Sequence, residues 1–329
     1  MFIDCIIRNH LYKKKCISIT QKHLYVIGNG FDIHHGINSR YSNYREWLHK
    51  TDKLLLENIE DFFGRNDEEF WNEFEKNLSE VSIGVIYAEI ENNIPNTSSM
   101  SFRDSDYENA TYAIEFHLKE TFNKIKNSFK AWVESLDNPN EHRKIKIHTR
   151  SSLFINFNYT DTLERLYNIN ENNIEYIHGK SKRDAHLILG HGSNKDTIRK
   201  SVKADSPLNK KDPDDLDIPD TLFDNALDKA VNEIDSMRKD VGSIISEHER
   251  FFSKIKDYTF VHIYGLSFGD VDLPYLSRVV DLIGRKNIFF EISDFKGYAK
   301  SRIKKFMKKN GVKKWQYKII ELASLMKYK

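Results

Sequence analysis

Cysteine, proline and glycine are all scarce in this sequence of 329 residues, with two, six and fourteen copies respectively. Cys5 and Cys16 are too few for a disulfide scaffold or a cysteine-based zinc centre, and no metal site is expected. So little proline and glycine disfavours collagen-like, low-complexity and turn-dense all-β chains and makes helix the expected majority. Long apolar runs are missing as well. None approaches the roughly 20 residues that span a bilayer, and those within residues 1–18 are too short for a secretory core. The expectation is a cytoplasmic protein without membrane contact. Excess charge of one sign is also absent: Lys+Arg 51 against Asp+Glu 49 gives +2, no general pull towards nucleic acid or anionic lipid.

What is present is apolar content, 39%, sufficient for one large domain or two modest ones, and a regular alternation of elements. Residues 23–27 (His-Leu-Tyr-Val-Ile) predict a strand that runs into Gly28-Asn29-Gly30, with Ser39 and Ser42 as candidate caps for a helix through Tyr44, Trp47 and Leu48. The spacings Phe70, Phe74, Leu78, Val81, Val85 and Leu118, Phe122, Ile125, Phe129, Trp132, Leu136 are helical, so 42–138 predicts a helical block closed by Pro139. Strands return at 153–157, 174–177 and 186–189, with a helix from Asp161 through Leu166. The polar stretch 195–220, holding Pro207, Pro213 and Pro219, predicts an exposed excursion. One long amphipathic helix is expected along Leu227, Val231, Ile234, Val241, Ile245, His248 and Ile255. After it come strands at 259–264, 288–292 and 315–320, with helices at 275–283 and about 298–309 between them. The predicted fold is α/β: a Rossmann-like, mostly parallel sheet flanked by helices, with a large helical insertion after the first strand. Its parts are an N-terminal arm (1–22), the first strand and turn (23–41), the insertion (42–140) and the remainder of the α/β core (141–329).

Eight of the fourteen glycines fall in three stretches, 28–36, 179–192 and 265–269, each after an apolar run. A glycine turn between strand and helix is where a doubly wound sheet holds a phosphate, because backbone N–H groups and a helix N-terminus face the anion. The dehydrogenase fingerprint fails, since Ile33 stands where its third glycine belongs and the next glycine is Gly36. Gly179-Lys180-Ser181 lacks the first glycine of a P-loop, which would fall at Ile174 inside a strand. Gly265-Leu266-Ser267-Phe268-Gly269 matches a nucleophile elbow, but the last histidine, His262, precedes the serine, and a hydrolase triad needs one after it. His34 and His35 lack metal-ligand spacing. Between 296 and 314 stand nine Lys/Arg and no acid, a patch able to hold nucleic-acid phosphates; with no aromatic interleaving to mark a base-stacking surface, a solvated helix face is the expected reading.

Six strings carry a resemblance: Leu24-Tyr-Val-Ile-Gly-Asn-Gly-Phe-Asp-Ile-His-His-Gly36, Trp71-Asn-Glu-Phe-Glu-Lys-Asn-Leu78, Phe154-Ile-Asn-Phe-Asn-Tyr-Thr-Asp-Thr-Leu-Glu164, Ile177-His-Gly-Lys180, Leu189-Gly-His-Gly192 and Ile263-Tyr-Gly-Leu-Ser-Phe-Gly-Asp-Val-Asp-Leu273. In that order they resemble the bacteriophage abortive-infection AbiH family, which implies an antiphage protein that halts growth of the infected cell. More remotely the series is similar to sirtuin-like NAD-consuming domains. That likeness implies a phosphate-binding turn at Gly28, Asn29, Gly30, Asp32 and Gly36, a catalytic Asn158 and a catalytic His178. It further implies cofactor contacts at Tyr159, Asp161, Gly265, Ser267 and Asp272. Asp32 stands where sirtuins usually have serine, and Thr160 where they have aspartate, with Asp161 next to it. The missing cysteine zinc module argues against a protein deacylase.

The chemistry is coherent on the residues themselves. Cleaving a nicotinamide–ribose bond passes through an oxocarbenium-like state, so the enzyme must hold the pyrophosphate, orient the ribose and deliver water. An amide such as that of Asn158 donates and accepts at once; a histidine such as His178 exchanges protons near neutral pH. The resulting expectation is an NAD hydrolase in which NAD is substrate and no cofactor is held. Its competitor is a nucleotide-binding sensor, or an RNA- or protein-binding defence module, without turnover. Expected partners are NAD or a related nucleotide, a phage-encoded trigger, a second copy of the chain, and nucleic acid at 296–314. Either reading requires the three glycine stretches to meet at one edge of the sheet.

Overall fold

The computed structural model describes residues 21–93, 103, 105–184, 186–204, 220–284 and 288–326. Residues 1–20 of the expected arm, both cysteines among them, and 205–219 of the expected excursion lie outside the described residues. Six strands form one sheet: β1 His23–Ile27, β2 Ser152–Asn156, β3 Ile174–Tyr176, β4 Phe260–Tyr264, β5 Phe289–Ser293 and β6 Tyr317–Ile320. Their order is β3-β2-β1-β4-β5-β6, and every pairing is parallel. The doubly wound architecture expected from the alternation is therefore present.

Central strands of such a sheet are buried on both faces and read as continuous apolar runs; all five residues of β1 are buried. Side chains alternate between the faces. Leu24 and Val26 join Val261, Ile263, Phe290 and Ile292 beneath α13 (Leu273–Ile283) and α14 (Lys300–Lys309). Tyr25 and Ile27 join Phe154, Tyr176 and Tyr264 beneath α1 (Asn29–His34) and α8 (Thr162–Tyr167). On this second face Tyr25, His262, Glu291 and Lys318 stand side by side across β1, β4, β5 and β6, where Glu291 pairs with both His262 and Lys318.

The insertion is helical as expected: α2 Tyr41–Thr51, α3 Lys53–Phe63, α4 Glu68–Asn72, α5 Phe74–Asn77, α6 Ile83–Asn93 and α7 Asp106–Glu134. Its core of Tyr44, Trp71, Phe74, Phe122 and Phe129 does not close on itself. Ile198 of α9 (Lys195–Ala204) and Leu227, Val231 and Ile234 of α10 (Asp220–Ser236) complete the same cluster. The first ten residues of the predicted excursion are thus a packed helix.

Three expectations need correcting. The first helix begins directly at Asn29 with Gly28 as N-cap, and in the next Arg40, not Ser39 or Ser42, stands at the N-cap position, without a side-chain cap bond, its N–H donating to Asn43 Oδ1. Residues 186–189 are no strand; they form a loop whose Ile188 N–H donates to the His178 carbonyl, 2.9 Å. The long helix across 227–255 is three helices, α10, α11 (Val241–Glu247) and α12 (Glu249–Phe252). It breaks because Met237 and Lys239 exchange backbone hydrogen bonds with His191, at 3.1 and 2.9 Å, and Asp240 then caps a new helix.

Candidate functional site

β1 lies between β2 and β4, so the chain leaves β1 and β4 towards opposite flanks of the sheet. In open α/β sheets the crevice outside such a switch point, at the carboxyl ends of the strands, is where ligands bind. Two glycine stretches meet there. The Gly28 N–H donates to the Tyr264 carbonyl (2.9 Å) and the Gly30 N–H to the Gly265 carbonyl (2.8 Å). A Cβ on Gly28 would lie 2.7 Å from Leu266 Cδ1, one on Gly30 2.8 Å from Gly265 Cα, and one on Gly265, whose φ is +72°, would collide with the Phe31 nitrogen. These glycines are required because two backbones cross in contact. The amides expected to face a phosphate are instead spent on the end of β4. Asn29 is exposed, its side chain held by Ser39 through hydrogen bonds of 2.8 and 2.5 Å.

Asn158, just past β2, is 6% exposed. Its Nδ2 donates to the Gly28 carbonyl (3.2 Å), so it ties the second strand's exit to the first rather than capping α8. Asp32, 1% exposed, lies beside it. Thr160 and Thr162 donate their hydroxyl protons to its two carboxylate oxygens at 2.5 and 2.8 Å. Burial pushes the Asp32 carboxyl up to about 6, against the opposing hydrogen bonds of Thr160, Thr162 and Asn158. Thr160, standing where an aspartate belongs in the sirtuin pattern, is therefore a donor to Asp32.

One strand further out, His178 follows β3 and is 5% exposed. Burial, reinforced by the nearby Lys239 charge, holds its imidazole well below the usual histidine range, while the Phe157 carbonyl bonds the ring from the other side. Nε2 has no hydrogen-bond partner. A neutral ring that donates at Nδ1 presents its lone pair at Nε2. The Tyr275 hydroxyl is likewise buried and unpartnered, and its ring centroid is 6.3 Å from that of His178. Buried polar atoms are nearly always paired, so two orphans in one neighbourhood mark a place built to receive polar atoms.

The wall opposite comes from the helical insertion. Glu75 of α5 pairs with Lys239, which is only 5% exposed, and accepts the Tyr41 hydroxyl proton at 2.8 Å. Tyr159, whose ring centroid is 6.2 Å from His178, donates to the Ile188 carbonyl at 3.0 Å. Burial raises the Asp272 carboxyl to about 6, with Lys239 opposing and Glu75 adding to the shift. The arrangement is a cluster of buried polar groups, with a neutral imidazole acceptor, the Tyr275 hydroxyl and the Glu75–Lys239 pair, and with the Asn158 amide at the neighbouring glycine crossing.

Matched against family models, residues 24–294 fit the one described as bacteriophage abortive infection AbiH. The chain belongs to the AbiH family. Compared with curated proteins and with solved structures, it matches none. The AbiH span takes in the glycine crossing and the buried polar cluster around His178 and ends before α14. It establishes a role in phage abortive infection; the sirtuin-like part of the resemblance rests on the strings alone.

Of the expected site residues, Gly28, Gly30, Asp32, Asn158 and Gly265 gather at the β1–β4 crossing, while Tyr159 and His178 lie together one strand further out and Asp272 stands near Lys239 and Glu75. Gly192 reaches Val271, just past the 265–269 turn, while Gly179 packs on Asp184, His186 and Leu187 and Gly190 on Met237. Three residues stand apart. Gly36, φ +83°, closes α1 against Asn140 and Arg143. Ser267 is exposed beyond the crossing. Asp161 pairs with Arg165 (2.8 Å) and lines a small cleft with Thr160, Ser181 and Lys182. Among the described residues no group of three or more His, Cys, Asp or Glu side chains is placed to share a metal ion, and no helix is long and apolar enough to cross a membrane. Glu75, Tyr41, Lys239 and Tyr275 escaped the sequence reading. Glu75 lay inside one of the six family strings, which was the available signal; nothing in the sequence singled out Lys239.

Proposed function

We propose that this AbiH protein is an NAD hydrolase, producing nicotinamide and ADP-ribose, and that this chemistry is how it aborts infection. The observation that carries the reading is His178: a buried, neutral imidazole with a free Nε2, one strand from an amide that reaches the glycine turn. In the reaction the C1′–N bond of the nicotinamide riboside breaks, and its electron pair neutralises the pyridinium, so nicotinamide needs no acid to leave. Water bonds to C1′ of the oxocarbenium-like centre, and His178 Nε2 takes the water proton. Asn158 orients the ribose or the water through its amide. The burial of His178 and Asn158 keeps bulk solvent from them, which strengthens each of these interactions.

The glycine crossing adds a regulatory consequence. Admitting a pyrophosphate at Gly28 and Gly30 requires their amides to leave Tyr264 and Gly265, so basal turnover is low until that contact opens. The same closed crossing favours, as a second reading, a nucleotide sensor without turnover. Incubating the purified protein with NAD and following nicotinamide separates them. Turnover that falls about a hundredfold or more in His178→Ala, the usual scale for losing a general base, and also falls in Asn158→Ala, supports hydrolysis. NAD binding without nicotinamide release, under conditions that trigger growth arrest, supports the sensor and contradicts the proposal.

A further inference from the structure

The basic segment beyond the family-matched span has a surface that its sequence did not reveal. α14 turns Ile303, Phe306 and Met307 into the core, all 4% exposed or less, so its outer face is Lys300, Lys304, Lys305, Lys308 and Lys309, each exposed. No ion pair to these lysines occurs among the described residues, although surface pairs are frequent elsewhere on the chain. Exposed aromatic rings flank this helix. Phe295 and Tyr298 precede it, 64% and 75% exposed and stacked on each other with centroids 6.2 Å apart; Trp315 follows it, 73% exposed. Lys296 lies over the Phe295 ring at 5.2 Å. These three are half of the six large hydrophobic side chains left exposed among the described residues. Their concentration around one basic helix departs from the expected solvated face without aromatics.

We propose that this surface binds single-stranded nucleic acid. Unpaired cations along a helix about 15 Å long suit a run of phosphates, and flat exposed rings at both ends suit unstacked bases, which duplexes do not offer. An anionic membrane fits less well, because the apolar residues an interfacial helix would insert are here turned inward. The proposal is independent of the NAD reading. Its position nonetheless places a bound strand beside the candidate site, since β5, which leads into Phe295, meets the glycine crossing where the Gly265 N–H donates to Ser293 Oγ at 2.8 Å.

The test is fluorescence anisotropy with short labelled single-stranded DNA and RNA, the matching duplex, and a salt series, beside sedimentation with phosphatidylserine vesicles. Expected is single-strand binding that weakens with salt, with a log–log slope of about −0.7 per phosphate contacted, and quenching of Trp315 fluorescence that Trp315→Phe abolishes. Lys304→Glu/Lys305→Glu/Lys308→Glu lowers affinity at least about tenfold and flattens the slope. Phe295→Ala/Tyr298→Ala lowers affinity about tenfold with the slope unchanged, the range expected for lost base stacking. All these side chains are exposed, and circular dichroism checks that the variants fold. Absence of oligonucleotide binding at low salt, equal duplex binding untouched by the aromatic variants, or binding to vesicles alone overturns the proposal.

Discussion

At the residue scale the site is governed by what burial does to charge. Asp32 and Asp272 are pushed up to about 6, while His178 is pulled down. The consequence for Asp32 has a definite sign. Its folded value lies above the ordinary 3.8, so its stabilising contribution is complete below about pH 4 and is lost as pH rises through about 6. Asp32→Asn has no such titration. Chemical denaturation should therefore show the wild type losing stability relative to this variant between about pH 4 and pH 7, by about 3 kcal/mol if the whole shift is expressed. A difference independent of pH would mean that Asp32 does not titrate in this window, and that the Thr160 and Thr162 hydrogen bonds outweigh its burial.

At the element scale the Glu75–Lys239 pair joins the helical insertion to the loop between α10 and α11. Lys239 is buried, with 3% of its side chain exposed, and Glu75 is part-exposed at 26%; removing one partner of a fully buried pair typically costs about 3–5 kcal/mol and of this pair less, whereas replacing both by apolar groups is often neutral. Urea denaturation is expected to find Lys239→Met destabilised and Glu75→Leu/Lys239→Met largely restored; equal losses in the single and double variants would argue against coupling. The same scale explains what was legible in the sequence. β1 was readable residue for residue because a strand buried on both faces is an unbroken apolar run, and the insertion because its aromatics recur at helical spacing. The break at Met237–Lys239 was not, since it is imposed by His191, far away in sequence. The glycine stretches lie at the carboxyl edge of the sheet, but composition could not tell a turn that faces a ligand from one that faces another backbone. Asn158 and His178 were visible as polar residues ending apolar strands. Glu75 and Lys239 looked like ordinary surface charges on amphipathic helices until tertiary packing paired them and buried Lys239.

For the whole molecule, a doubly wound parallel sheet supplies the crevice and a helical layer drawn from two separate stretches of chain roofs it. Membership of the AbiH family assigns the molecule to phage abortive infection, and the closed glycine crossing fits an effector that spares its host until triggered. The central claim, that growth arrest proceeds through NAD loss at this site, is tested most directly by measuring cellular NAD while arrest develops. Cells carrying the wild type and cells carrying Asn158→Ala/His178→Ala are compared at matched protein levels. The account predicts that NAD falls before growth stops in the wild type, with neither NAD loss nor arrest in the variant; arrest with NAD unchanged, or arrest that persists in the variant, would contradict it.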